Sequence, residues 1–413
     1  MTPQGLGQRS AWFWSVLFVT ALHLLTTTGT WWITDHGEIL AVADRFMATG
    51  HLDLRDLGPG WENWTRIATA RGSTQTRFLP LSILVLIPFL ALDHLAGWRD
   101  PSSLRFVYLQ GHFFVGLGLV LAGRFVARVS GRPSTAALSI LLLGLNWPVW
   151  MIARRMGPEP VLFALMTWFA AGGPRSRFAC LLLLPWVHAS GLLLGLGGLL
   201  WLIVEERSIS ARGVRIASLG WVLGGSSVAL FWNLPVYGHP ILGGYNEYAS
   251  DGFFALRNPL EGALALFLSI AWWTLPLGYV ALLEGGHAAA RGLALWLPAL
   301  AFFGVFSHPE PARRLAPLLG AWVVVLMTRP PALPRSRATA LALLSLASGA
   351  FGLSQDFVDN VTTPLGVFSG PFLLFLRMAF VEVRPAQAAT CVLLLLIVVY
   401  WSGSRTLRLV LNP

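Results

Sequence analysis

The sequence predicts an all-α polytopic membrane protein, a helical bundle with no large soluble domain, and three observations carry that expectation. Of the 413 residues, 55% are hydrophobic and 12% charged, about half the charged fraction of a soluble domain. Apolar runs of roughly 16–25 residues recur from end to end, the length a helix needs to cross a bilayer. The arginines sit in short stretches between those runs, which is how cytoplasmic loops are marked.

The net charge of +10 comes from arginine alone, since the chain has no lysine. Arginines confined to short loops speak for membrane topology and against nucleic acid as a partner. Cys180 and Cys391 fall inside apolar runs and read as small core residues, with no disulfide or metal implied. The first apolar run is too long and too late for a cleaved signal peptide, so it is expected to remain as an anchor.

Span one covers about 11–33, with Arg9 ahead of it placing the N-terminus in the cytoplasm. The stretch 34–54, TDHGEILAVADRFMATGHLDL, opens with Asp35 and Glu38. From Ile39 it reads as an amphipathic helix, with Ile39, Val42, Ala43, Phe46 and Met47 on the apolar face. The polar region 55–77 is long for a loop inside a bundle, and such loops tend to carry function. Segment 78–98 is apolar but holds Pro80, Pro88 and the pair Asp93–His94. Were it to cross fully, Arg124, Arg128, Arg132, Arg175 and Arg177 would all lie outside. Positive-inside counting therefore favours a re-entrant or juxtamembrane segment.

Further runs follow at 106–121, 135–152, 160–171, 178–188, 191–204, 214–234, 260–283, 293–306, 315–327, 339–353 and 388–401, with 368–380 as a second partial segment. The expected total is about twelve crossings with both termini inside. The chain then forms one transmembrane domain, 1–413. Its outer face holds the first loop 34–77, the turn 154–159, His188, the loop 237–259, and the stretches 307–314 and 355–363. No internal repeat suggests an inverted-repeat transporter.

The charged and aromatic residues gathered there each admit two readings. Asp35 and Glu38 have capping-box spacing, with Asp35 as N-cap; alternatively one carboxylate is a general base for an acceptor hydroxyl and the other holds a metal or the acceptor. Arg77 in TQTRFLP either snorkels to the headgroups or grips phosphate with its bidentate fork. In RRMGPEP, Glu159 fits the start of a helix, whereas Arg154 and Arg155 oppose the charge trend of an outer face and so need an anion or a carboxylate partner. His188 in LLPWVHASG is a hydrogen-bonded structural residue or a ligand. Tyr245, in GHPILGGYNEYASDGF, could stack on a sugar or sit in an interfacial aromatic belt. Arg313 and Arg314 open a span, where they grip phosphate or pair with Glu310 or Asp356. No Walker loop, dinucleotide glycine pattern, HExxH or CxxC is present.

Taken in order, these pieces resemble the GT-C superfamily of polytopic membrane glycosyltransferases, which includes protein O-mannosyltransferases and aminoarabinose transferases. Its members run from a first span into an acid-bearing motif and an Ala-rich amphipathic helix ending in Gly, matched by TDHGEILAVADRFMATGHLDL. A basic–aromatic–Pro–Leu start to a partly inserted helix follows, matched by TRFLPLSILVLIPF. A basic residue ahead of an acid at a span start is matched by RRMGPEPVLFAL. The resemblance implies Asp35 as catalytic base, and Glu38, Arg77 and Glu159 around the donor and its metal or phosphate. Many relatives have the two acids adjacent, whereas His36 and Gly37 intervene here, which leaves the role of Glu38 open.

The function that follows is transfer of a sugar from a polyprenyl-phosphate-linked donor to an extracytoplasmic lipid, glycan or protein. Asp35 and Glu38 are the catalytic candidates; Arg77, Arg154, Glu159, His188, Tyr245, Arg313 and Arg314 are the substrate-binding ones. Cofactor need is open, with a divalent cation such as Mg or Mn as the candidate. Partners are the lipid-linked donor, membrane lipids and, for acceptor recognition, the loops or a partner protein. The competing readings are a transporter or flippase of an anionic lipid-linked substrate, which predicts charges deep within spans, and an inactive scaffold of the same fold.

Overall fold

A computed structural model describes residues 11–27, 34–57, 60–61, 75–99, 104, 106–205, 210–240, 275–283, 286–305, 311–327, 333–354 and 385–411. Among them the chain is helical, with one isolated antiparallel bridge, Asp53 to Gln75, and no strand. Three helices are long and apolar enough to cross a membrane alone, and a bent pair makes a fourth; five shorter apolar helices stand beside them.

The helices run between two ends of one bundle. The first, α1 (Phe13–Leu25), leads into α2 (Thr34–Thr49), which starts well before the expected Ile39. Ile39 to Ala43 are fully buried, while Met47 in the last turn is exposed, so the expected apolar face covers the middle of the helix alone. Segment 78–98 forms α3 (Pro80–Leu84) and α4 (Ile87–Leu95), each with a proline in its first turn. Their combined length, about 24 Å at 1.5 Å per residue, is short of a hydrocarbon core of ~30 Å. The Asp93 carboxylate, fully buried, accepts the backbone N–H groups of Phe106 and Val107 and so ties α4 to the start of α5 (Leu109–Ser130).

The run 135–152, read from sequence as one span, is two helices. Following α6 (Pro133–Gly144), the chain turns by 74° into α7 (Trp147–Ala153). Pro148 in the first turn of α7 has no N–H to continue the ladder of α6, so the break falls just before it. The centre of the bundle is α8 (Pro158–Ala171). It packs against α5, against α9 (Pro174–Val187), and against the later helix α15 (Pro311–Leu326). The next helix, α10 (Ser190–Val204), returns beside α9. One long helical stretch, Ala211–Tyr237, comprises α11 (Ala211–Val228), a π turn and α12 (Leu234–Tyr237). Then come α13 (Leu275–Leu283), α14 (Gly286–Val305), α16 (Arg335–Ser354) and α17 (Pro385–Leu411). Trp401 of α17 meets Trp14 of α1 edge to face at 4.5 Å. Cys180 is buried as expected, but Cys391 is exposed on α17.

Two apolar cores result. The larger runs through the bundle from Trp12 to Val410. The smaller lies at one end and joins Ile39–Ala43, Trp61, Phe78, Ile83, Leu86, Leu90 and Tyr108 to Met156. Helix directions sort the charges. At the end capped by the small core lie Glu38, Asp44, Asp53, Asp93 and Glu159 with Arg45, Arg77, Arg154, Arg155 and Arg314. Toward the other end lie Arg124, Arg128, Arg132, Arg175, Arg177, Arg212, Arg215, Arg291, Arg337, Arg405 and Arg408, where Glu205 is the one acid among the described residues.

Candidate active site

The first turn of α2 is fastened to the chain returning from the first loop. The Glu38 carboxylate, 3% exposed, accepts the Thr76 hydroxyl and the Arg77 backbone N–H, both at 2.9 Å. Its second oxygen lies 3.4 Å from Arg77 Nε. The guanidinium also stands 5.1 Å from the centroid of the Phe78 ring, a cation–π distance. From α12, the Tyr237 hydroxyl donates to the Thr76 carbonyl. Three segments far apart in sequence therefore converge on Thr76–Arg77.

This corrects the capping-box reading. Thr34 is the first helical residue, so Asp35 lies inside the first turn and not at the N-cap, and Glu38 is engaged across the fold with Thr76 and Arg77. Asp35 stands on described helix backbone, three residues before Glu38 and so on the same face; its side chain lies outside the description.

A second cluster sits at the head of α8. The turn after α7 buries Arg154 and Arg155, at 4% and 6% exposure. Gln110 holds this turn: its amide donates to the Gly157 carbonyl and accepts the Gly157 N–H, both at 3.0 Å. Gly157 has φ +133°, a conformation other residues rarely adopt. Beside Gln110, a Cβ on Gly111 would lie 2.0 Å from the Arg155 carbonyl oxygen, so glycine is what lets α5 come so close. Met156 in the same turn belongs to the small core with Ile39 and Phe78. That membership links the two clusters.

Glu159, in the first turn of α8, meets Arg314 of α15 with Oε1 to Nη1 at 2.5 Å. The same guanidinium reaches His188 Nε2 at 3.2 Å. A guanidinium can donate but not accept, so His188 is the acceptor there and its Nδ1 faces the Ser190 hydroxyl at 2.9 Å. Arg314 thus pairs with Glu159; Glu310 and Asp356, the partners expected from sequence, lie outside the described residues along with Tyr245. Arg313 lies on the backbone of α15, its side chain outside the description.

Beneath both clusters runs a buried polar seam that the sequence reading did not single out. His23 Nε2 lies 2.7 Å from the Gly144 carbonyl, Thr27 Oγ1 lies 2.8 Å from His112 Nε2, and Trp150 donates to Thr26 at 2.9 Å. Its trace in the sequence is the i, i+3, i+4 spacing of His23, Thr26 and Thr27 in an otherwise apolar run. Among the described residues, no group of three His, Cys, Asp or Glu side chains gathers as metal ligands.

Outside the bundle, Asp53 binds Arg45 at 2.5 Å and Arg55 at 2.6 Å. Burial alone pushes its carboxyl up. The hydrogen bonds from the Arg55 guanidinium and backbone, with the charge of Arg45, outweigh burial and hold it below the usual carboxylate range. With the folded value the lower one, this contribution is complete above the ordinary value of 3.8 and is lost as the pH falls below it. Hydrogen exchange around Asp53 and Gln75, corrected for its intrinsic pH dependence, is expected to rise between about pH 5 and about pH 2. In Asp53→Asn that pH dependence is expected to vanish.

Gln110→Ala removes both ligands of the Gly157 peptide groups and is expected to cost about 1–3 kcal/mol. Chemical denaturation of the purified chain reads this loss. Gln110→Glu keeps the acceptor for the Gly157 N–H but leaves its carbonyl facing a carboxylate, so it should not restore the wild-type value.

No family model matches the chain, and no curated protein matches it. Solved structures do. ArnT from Cupriavidus metallidurans in the apo state aligns with TM-score 0.56 at 16% identity, over 96% of this chain and 76% of that one. The same protein bound to undecaprenyl phosphate aligns with TM-score 0.52 at 14% identity, over 96% of this chain and 75% of that one. What is shared at such identities is the fold: the helical bundle described above is ArnT-like in its architecture.

Proposed function

We propose that this chain is a glycosyltransferase that moves a sugar from a polyprenyl-phosphate-linked donor to an acceptor on the extracytoplasmic side. The observation that carries the reading is the fastening of Glu38 to Thr76 and Arg77. It sets the start of α2, with Asp35, beside an arginine suited to phosphate. The ArnT fold, seen elsewhere with undecaprenyl phosphate bound, supports a lipid-phosphate donor.

In this reading Asp35 takes the proton of the acceptor hydroxyl. The acceptor oxygen bonds to the anomeric carbon from the face opposite the donor, so the configuration inverts. The bond from that carbon to the phosphate oxygen breaks, and the electron pair leaves with the polyprenyl phosphate. Arg77, with Arg154 or Arg313, stabilises the departing phosphate in a site of low dielectric. Glu159, His188 and Arg314 hold the head of α8 in place around it, and Tyr245 is assigned to the sugar.

Charge supports the orientation. The end with the clusters balances acids against arginines, and the other end is arginine-rich, so the positive-inside rule directs the latter to the cytoplasm. About twelve crossings with cytoplasmic termini, and 34–77 and 237–259 as outer loops, complete the topology.

Burial of Arg154, Arg155, Glu159 and Arg314 inside the bundle is the observation that favours a flippase instead. These charges gather at the end where α8 and α15 begin, and not midway along them, which fits a mouth better than a path across. Purified chain, incubated with polyprenyl-phosphate-linked sugars and envelope acceptors, is expected to yield glycosylated product by mass spectrometry. Substrate moved across proteoliposomes without any such product would overturn the transferase reading.

A further inference from the structure

The arginine-rich end holds a built cluster with no part in the proposed transfer. Glu205 follows the last turn of α10, and Arg291 of α14 brings Nη1 to 3.2 and 3.3 Å from its two carboxylate oxygens. One turn earlier on α10, Trp201 is 4% exposed. Arg177 of α9 places its guanidinium carbon 5.6 Å from the Trp201 ring centroid. Arg291 pairs with the Glu205 carboxylate, whose charge also acts on Arg177 from the neighbouring helix. Two donors there, Arg177 Nε and Trp201 Nε1, are buried and meet no acceptor among the described residues. A buried donor left unmade costs free energy, and two side by side ask for acceptor oxygens.

The place on the bundle narrows the ligand. The helices α9 and α10 meet at His188, so the cluster lies about 15–22 Å away along them at 1.5 Å per residue. Arg175, Arg212 and Arg215 are exposed at the same end. The first turn of α9 adds the positive end of its dipole. Basic pockets between transmembrane helices on the cytoplasmic side are suited to phosphate-bearing lipid headgroups.

We propose that Arg177, Trp201, Glu205 and Arg291 form a second site, opposite the candidate active site, that binds the phosphate of an anionic lipid headgroup. Arg177 and the Trp201 indole N–H donate to phosphate oxygens, and Glu205 holds Arg291 in position and limits the charge. The proposal does not depend on the glycosyl-transfer reading.

Native mass spectrometry of the full chain in neutral detergent tests it, with phosphatidylglycerol, phosphatidylethanolamine of the same acyl chains, or inorganic phosphate added. The wild-type chain is expected to retain phosphatidylglycerol over phosphatidylethanolamine. Arg177→Gln is expected to lower that retention about fivefold, the effect of one basic residue at a membrane surface, and Arg177→Lys to lower it less. Trp201→Phe keeps the ring and removes the N–H; it is expected to weaken retention too, and it serves as the reading if Arg177→Gln fails to fold. Displacement of the lipid by inorganic phosphate, sensitive to Arg177, would make free phosphate the occupant of the same site. Failure to displace it makes the headgroup the occupant. Equal retention of the two lipids by the wild type, or unchanged retention in both variants, overturns the site.

Discussion

Arg314→Gln is expected to destabilise the protein by about 3–5 kcal/mol, the usual consequence of removing one partner of a buried ion pair. Glu159 and Arg314 are both 6% exposed at the side chain and 2.5 Å apart. With Arg314 neutralised, the Glu159 carboxylate keeps its desolvation cost and loses the cation beside it. His188 loses the donor at its Nε2 as well. Chemical denaturation in detergent measures the loss. The double variant Glu159→Gln with Arg314→Gln is expected to recover part of the stability, because neither member of the pair is then left charged without the other. If the double variant loses the sum of both single losses, the two side chains are uncoupled and the account of this junction is wrong.

Asp35→Asn is expected to lower kcat for glycosyl transfer by about 10²–10⁴-fold, the range for loss of a positioned general base, with little change in KM for the donor. Asn keeps the shape and can still hydrogen-bond the acceptor hydroxyl, but it cannot take the proton. Glu38→Gln serves as the contrast. Its carboxylate binds the Thr76 hydroxyl and the Arg77 N–H, so its loss loosens the arginine and is expected to raise KM along with lowering kcat. Full transfer by Asp35→Asn would remove it from the role of base, leaving the fold assignment untouched.

Much of this arrangement is legible in the amino-acid order, and what escapes has physical causes. Charges inside apolar runs are conspicuous because burying them demands a partner; Arg154, Glu159, His188 and Arg314 stand out for that reason. Which partner each takes is decided by packing. Arg314 finds Glu159, 155 positions away. The i, i+3 spacing of Asp35 and Glu38 fits a cap, but the returning loop offers Glu38 two donors and binds it across the fold. Gln110 carries neither charge nor periodicity, so nothing in LQGHFF announces that its amide closes on Gly157. The bend at residues 145–146 had a visible cause in Pro148, outweighed on reading by the apolar run around it.

The separation of the two cores has a further consequence. The layer formed by α2, α3 and α4 buries its apolar side chains largely in the small core, together with Val107 and Tyr108 just before α5 and Met156 in the turn before α8, whereas α5 itself packs into the large one. Such a layer is a cooperative unit of its own, which can open at a free energy below that of the whole molecule. Its hinge side is fixed by Asp93 at the start of α5. Glu38 binds Thr76 and Arg77 within the layer, holding α2 to the start of α3, and the layer's free side is tied to the bundle where the Tyr237 hydroxyl donates to the Thr76 carbonyl. That tie is weak against the packing of the main bundle, so the molecule is built stiff at one end and latched at the other.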